Sequence, residues 1–189
     1  MSWILALLLP ACGDTSSNDG RTAALLRSAP PGPGQSGATV AYENGHPLDW
    51  WTDEPGVLSH EDQVFAMVNQ HRTSRGLAAL TLDPDLRRCA RGHSRHMRPD
   101  SHDFVAHVNP EGHGPTERAI FCDVPGVVGV GENAAAGQST PFEVFNGWLN
   151  SPSHRANIED PSWRRSGVGY QPGPAGDPMG HYWTQLFAP

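Results

Sequence analysis

From Ser59 onward apolar positions recur with the period of a helix: Val64, Met67, Val68 and His71 return to one side until Gly76, which suits a left-handed C-terminal cap. Ser59 is the candidate N-cap, and Glu61 and Asp62 follow in the first turn, where carboxylates favour the positive helix end. Asp83-Pro84 predicts a second helix start, with Leu86, Cys89, Ala90, His93 and Met97 on one face and Pro99 ending it. Pro115 to Phe121 reads as a short helix. Thr140-Pro141-Phe142-Glu143 is a capping box that opens a helix burying Val144, Phe145, Trp148 and Leu149 and stopping at Ser151-Pro152. Beyond Trp163 the pattern changes: Gly167–Tyr170 and His181–Phe187 read as strands joined by a Gly- and Pro-rich loop, an antiparallel hairpin. Helices followed by strands imply an α+β layered domain.

The residues before that domain carry no such period. Trp3 to Leu9 is an apolar run too short to span a bilayer, followed by Pro10, Ala11 and Cys12. Residues 1–11 read as an export signal of lipoprotein type, because Leu9-Pro10-Ala11-Cys12 resembles a bacterial lipobox in which Cys12 takes a diacylglyceryl group. An ordinary cleaved signal or a buried apolar N-terminus are the alternatives. Residues 12–57 form a Gly-, Pro- and Ser-rich tether and N-terminal extension, within which Trp50 and Trp51 are too apolar to leave in water. Residues 58–189 are the domain. If Cys12 is modified, Cys89 and Cys122 remain as an even pair for which an oxidising compartment favours a disulfide, against two separate buried thiols.

Composition removes several functions. A net charge of −7 disfavours nucleic acid, which needs a clustered basic patch. The 13 basic residues are all arginine, so a Walker A loop and a Schiff-base lysine are absent.

An ordered set of short motifs spans Leu58 to Phe187. It comprises Asn69-x-x-Arg72, Ala90-x-x-His93-Ser94-x-x-Met97, His107, Pro115-x-x-Arg118, Gly131-Glu132-Asn133, Trp148-x-x-Ser151-Pro152-x-His154-Arg155-x-Asn157-Ile158, Gly167-Val168-Gly169 and Tyr182-Trp183-Thr184-Gln185-x-Phe187. Taken together it resembles the bacterial branch of the CAP superfamily, the cysteine-rich secretory, antigen 5 and pathogenesis-related-1 proteins that share the SCP domain. The resemblance implies an α-β-α sandwich with a mainly antiparallel sheet and a cleft lined by histidine and glutamate. By motif His107 matches the first cleft histidine and Glu132 the first glutamate. Where animal and plant members place a second glutamate after the helix tryptophan, this chain has Ser151 and then His154. Where they place a second histidine, it has Tyr182, with His181 one position earlier on the opposite strand face. The expected cleft is therefore His107, Glu132 and His154, with Asn133, Tyr182 and Gln185 at its edge.

Two imidazoles, His107 and His154, would make a partial site for zinc or another divalent metal, with Glu132 as a third ligand or as an orienting partner. The competing arrangement is a plain hydrogen bond between His154 and Glu132 that orders the loops. For catalysis Glu132 is the one candidate base. Ser94 and Ser151 lack a nucleophile-elbow context, and paired cysteines offer no thiolate. The expectation is an extracytoplasmic, envelope-anchored or secreted binding module whose partner is a small molecule, a lipid or a cell-envelope component, reaching the membrane only through a lipid anchor. A metal-dependent hydrolase acting from the same cleft is the alternative. Asn69 and Arg72 are expected to be structural hydrogen-bonders and His93 a core or cleft-wall residue. His46, His60, His96, His102 and His113, and the series Arg87, Arg88, Arg91, Arg95 and Arg98, are expected to be solvated.

Overall fold

The structure, a computed structural model, describes residues 55–189 together with the backbone of four two-residue strand segments nearer the N-terminus. Two of these, Leu7–Leu8 and Cys12–Gly13, pair antiparallel with one edge of the main sheet, and Tyr42–Glu43 pairs with His46–Pro47. The expectations for the leader, the tether and Trp50–Trp51 otherwise lie outside the described residues.

Five helices and four strands follow. Helix α1 spans Pro55–Ser74, four residues earlier than the predicted Ser59 cap, and stops before Gly76, whose φ of 76° is the left-handed cap conformation. Strand β1 is Thr81–Leu82. Helix α2, Pro84–His96, starts as predicted: the Asp83 carboxylate accepts from the backbone N–H of Asp85 and Leu86. Helix α3 is Pro115–Phe121. Strand β2, Gly131–Ala136, was not predicted, because Gly-Glu-Asn-Ala-Ala-Ala has neither alternation nor β-branched residues. Helix α4, Pro141–Asn150, carries the Thr140–Glu143 capping box. Ser151-Pro152 ends α4 and also opens α5, Pro152–Glu159, since proline that cannot continue one helix fits the first position of the next. Strands β3, Arg165–Pro172, and β4, His181–Ala188, form the predicted antiparallel hairpin.

The sheet order is β2-β4-β3-β1, antiparallel except for the β1–β3 pair. Alternation then sorts side chains to two faces. On one, Ala135, Val168, Tyr170, Trp183 and Phe187 pack against Val64 and Val68 of α1, Val144 and Trp148 of α4 and Ile158 of α5. On the other, Leu186 and Ala188 meet Leu86, Cys89 and Ala90 of α2 and Ala119 of α3, with Ala134, Ala136 and Tyr182 against Met97. Helices on both faces make the α-β-α sandwich. The Cys89–Cys122 disulfide ties α2 to the end of α3. Helix α2 lies on the β3 backbone itself, because Gly167 and Gly169 face it: a Cβ at Gly169 would sit 2.2 Å from the Arg91 nitrogen.

The expected structural hydrogen-bonders do that work. Asn69 bonds both backbone groups of Leu80, and Arg72 donates to the carbonyls of Ala78, Ile158 and Asp160. The expected solvated arginine flank is corrected along its length: Arg87, Arg88, Arg95 and Arg98 are half-buried and ion-paired to Asp62, Asp85 and Asp100. Arg91 is buried and makes a two-pronged ion pair with buried Glu61, which also accepts from the Tyr170 N–H, a group that the two-residue β1 is too short to pair. His96 is likewise buried rather than solvated, because the turn after α2 folds back, bonding the His102 N–H to the His96 carbonyl and bringing the two rings to 4.4 Å. His60 is half-buried, stacked on Tyr170 at 4.8 Å. No helix among the described residues is long and apolar enough to cross a membrane.

Candidate functional site

Glu132 lies on β2 opposite Leu186, so its side chain enters the layer between the sheet and α2–α3, where it is fully buried. A lone carboxylate there would be costly, and the fold supplies three partners. His107, from the loop after α2, has Nδ1 2.7 Å from Oε1. Arg118 of α3, itself fully buried, donates to Oε2 and also to the backbone carbonyls of His107 and His113, fixing that loop. His93 of α2 has Nε2 3.7 Å from Oε1 and 3.0 Å from the Ala106 carbonyl.

Charge follows from this packing. Burial alone would raise the Glu132 pKa, but the Arg118 guanidinium, with His93 and His107, overrides it and holds the acid at about 2. The carboxylate is therefore ionised and only accepts, so Nδ1 of His107 carries the proton between them. Burial, reinforced by the Arg118 charge, lowers the His93 pKa to about 3. His154, on α5, is pushed down to about 4 by burial and then by His107. Both rings are neutral at physiological pH.

His154 is buried, and neither of its ring nitrogens bonds to another group among the described residues. Its backbone carbonyl accepts from Asn133 Nδ2, and Asn157 of the same helix donates to the Glu132 carbonyl and to Asn133 Oδ1. Helix α5 is thus laced to β2 on the sheet face opposite the Glu132 side chain, with its imidazole within electrostatic reach of His107 and Glu132. The Glu132 carboxylate bonds His107 and Arg118 rather than His154.

The remaining expected residues lie apart. Gln185 is the cross-strand partner of Asn133 but donates to Ser166 Oγ, on the α1–α4–α5 face. Tyr182 points to the α2 face, where its hydroxyl donates to Asp177 and burial raises its pKa. His181, one residue earlier, faces the other way and meets the Tyr170 hydroxyl at 2.9 Å. Ser94 is a structural bridge, its hydroxyl donating to the Gly169 carbonyl and accepting from the Thr184 hydroxyl.

Of the cluster, Arg118 was not placed at the site from sequence, and His93 only as a core or cleft-wall residue. The signal for Arg118 was present: a motif arginine on a short helix with no acid three or four residues away needs a distant one, and Glu132 was the motif acid at hand. For His93, a histidine on an apolar helix face reads as core or cleft wall, and it is buried beside Glu132.

The model of the cysteine-rich secretory protein family, CAP, matches residues 65–187. The chain belongs to this family. A Bacillus subtilis (strain 168) relative, "Uncharacterized protein YkwD", is 32% identical over 154 residues, covering 81% of this chain and 56% of that protein. Among solved structures, an extracellular SCP-domain protein from Bacillus anthracis superposes with a TM-score of 0.60 at 28% identity, over 69% of this chain and 40% of that one. An outer surface protein from Borrelia burgdorferi gives a TM-score of 0.59 at 20% identity, covering 67% of this chain and 90% of its own, a likeness of fold. The chain thus spans little more than half the length of its curated relative and less than half of the Bacillus anthracis chain. The motifs His107, Gly131-Glu132-Asn133 and Trp148 to Ile158 all fall within the matched CAP segment, which brings them together around β2.

Proposed function

We propose that this CAP domain acts outside the cytoplasm as a binding module rather than as a hydrolase. The observation that carries this reading is the state of Glu132. Its two oxygens are engaged by His107 and Arg118 and its pKa is held at about 2, whereas a general base needs an accessible lone pair and a pKa near working pH. The cluster serves to lock the His107 loop, α3 and β2 into one rigid body, a scaffold on which a small ligand, lipid or envelope component is bound. The Cys89–Cys122 bridge and the extracellular Bacillus anthracis relative support an oxidising, extracytoplasmic setting, with Cys12 as the lipid attachment point. The test is incubation of the purified chain with peptide, ester and glycan panels, with and without chelator. No turnover is expected; turnover abolished by chelator or by Glu132→Gln would overturn the reading.

A second reading, a weak divalent-metal site, is favoured by the neutral, unbonded imidazole of His154 and by Glu132 orienting His107 through Nδ1. Among the described residues no group of three or more His, Cys, Asp or Glu side chains is placed to hold a metal ion. The protein would therefore offer the two imidazoles of His107 and His154, fewer donors than the three or four protein ligands of typical zinc sites. Calorimetric titration with zinc decides: equal binding by the parent and the His107→Ala, His154→Ala double variant removes the metal reading.

A further inference from the structure

On the outer side of the α1–α4–α5 layer, a hollow of about 380 Å³ is lined by Arg75, Leu77, Arg155 and Glu159. Its charges do not cancel locally. Glu159 is already held by His71, whose Nε2 lies 2.8 Å from Oε1, and this bond, ahead of the Arg75 charge, lowers the Glu159 pKa. Arg75 reaches Glu159 only at 3.8 Å and is 62% exposed. Arg155, exposed where its neighbour His154 is buried, makes no hydrogen bond or ion pair within the described protein. Two guanidinium groups therefore face one hollow with a single carboxylate, Glu159, which bonds His71 and feels both arginine charges, so the hollow keeps one positive charge in excess.

The mounting is rigid. Buried Arg72 donates to the Ala78 carbonyl at 2.9 Å, to Ile158 at 2.7 Å and to Asp160 at 2.9 Å, clamping the turn that carries Leu77 to the end of α5. The backbone that carries Arg75, Leu77 and Arg155 is thereby fixed, and guanidinium groups favour planar, paired recognition of oxyanions. A hollow of this size exceeds a single phosphate, and half-buried Leu77 gives it an apolar side.

We propose that this hollow binds a phosphate ester, the phosphate between Arg75 and Arg155 and the organic part against Leu77. The same chemistry is offered by a free small phosphoester and by the repeats of a phosphate-bearing envelope polymer. The test is equilibrium titration of the full chain with inorganic phosphate, glycerol 3-phosphate and a poly(glycerol phosphate) oligomer, each against sodium chloride of equal ionic strength. Saturable binding of glycerol 3-phosphate, tighter than inorganic phosphate, supports a small ester, and binding confined to the oligomer supports the polymer. Arg75→Gln and Arg155→Gln, both exposed and so harmless to folding, should each weaken binding about tenfold, the loss of one charge-assisted contact. Glu159→Gln, which removes the opposing charge, should tighten it. Binding matched by chloride, unchanged in the double arginine variant or weakened by Glu159→Gln overturns the proposal.

Discussion

Arg118→Met is the sharpest probe of the Glu132 cluster. It keeps the volume and removes the cation facing a fully buried carboxylate. The size of the loss can be set in two ways. The displacement of the Glu132 pKa from 4.5 to about 2 corresponds to an interaction on the order of 3 kcal/mol at ~1.36 kcal/mol per unit. Breaking a buried ion pair on one side costs ~3–5 kcal/mol in general. Either figure is a large share of the ~5–15 kcal/mol that stabilises an ordinary domain. Urea unfolding at pH 7 should therefore show Arg118→Met less stable by about 3 kcal/mol or more. Glu132→Gln, which strands Arg118, should be similar, and the double variant should be less destabilised than the sum by about 2 kcal/mol.

The pH dependence adds a second arm. In the parent, Glu132 has a depressed folded pKa, so its contribution is present above about 4.5 and is lost as pH falls toward 2. In Arg118→Met burial is opposed only by His93 and His107, the folded pKa rises, and acid relieves the buried charge. The two stability curves should thus converge below pH 4.5. A single-variant loss under about 1 kcal/mol, or a gap constant from pH 7 to pH 3, would show that the carboxylate is solvated and the cluster is not the rigid unit described.

Other expectations follow from the same packing. His93 and His154 have folded pKa values of about 3 and 4, below the ordinary 6.5, so the unfolded chain takes up protons first; stability should decline as pH falls below 6.5, and His154→Gln should flatten that decline in thermal melts between pH 7 and pH 4. Gly169→Ala sets a methyl 2.2 Å from the Arg91 nitrogen and 2.3 Å from the Ala90 carbonyl carbon; displacement of α2 should cost on the order of 3 kcal/mol, and a variant as stable as the parent would mean that α2 sits further from the sheet. Reducing Cys89–Cys122, which closes 33 residues, should lower stability by about 3 to 4 kcal/mol in the chain-entropy model, read as a shift of the urea midpoint with and without dithiothreitol.

The sequence by itself determined the elements with local chemistry: the Asp83 and Thr140 caps, the Gly76 stop, the closing hairpin, and the order of motifs that identifies the family. These depend on residues a few positions apart, where spacing and backbone preference suffice. It also placed Glu132 and His107 among the candidate residues, because both stand in recognisable motifs. What only the tertiary structure decided are the partners. Whether Arg91 is solvated depends on Glu61, 30 residues away, and whether Glu132 is a base or a strut depends on Arg118 and His93 from two other elements. The physical reason is that the charge state and role of a buried ionisable group are set by desolvation and by neighbours a few ångströms away, and those neighbours are chosen by the packing of layers rather than by proximity along the chain.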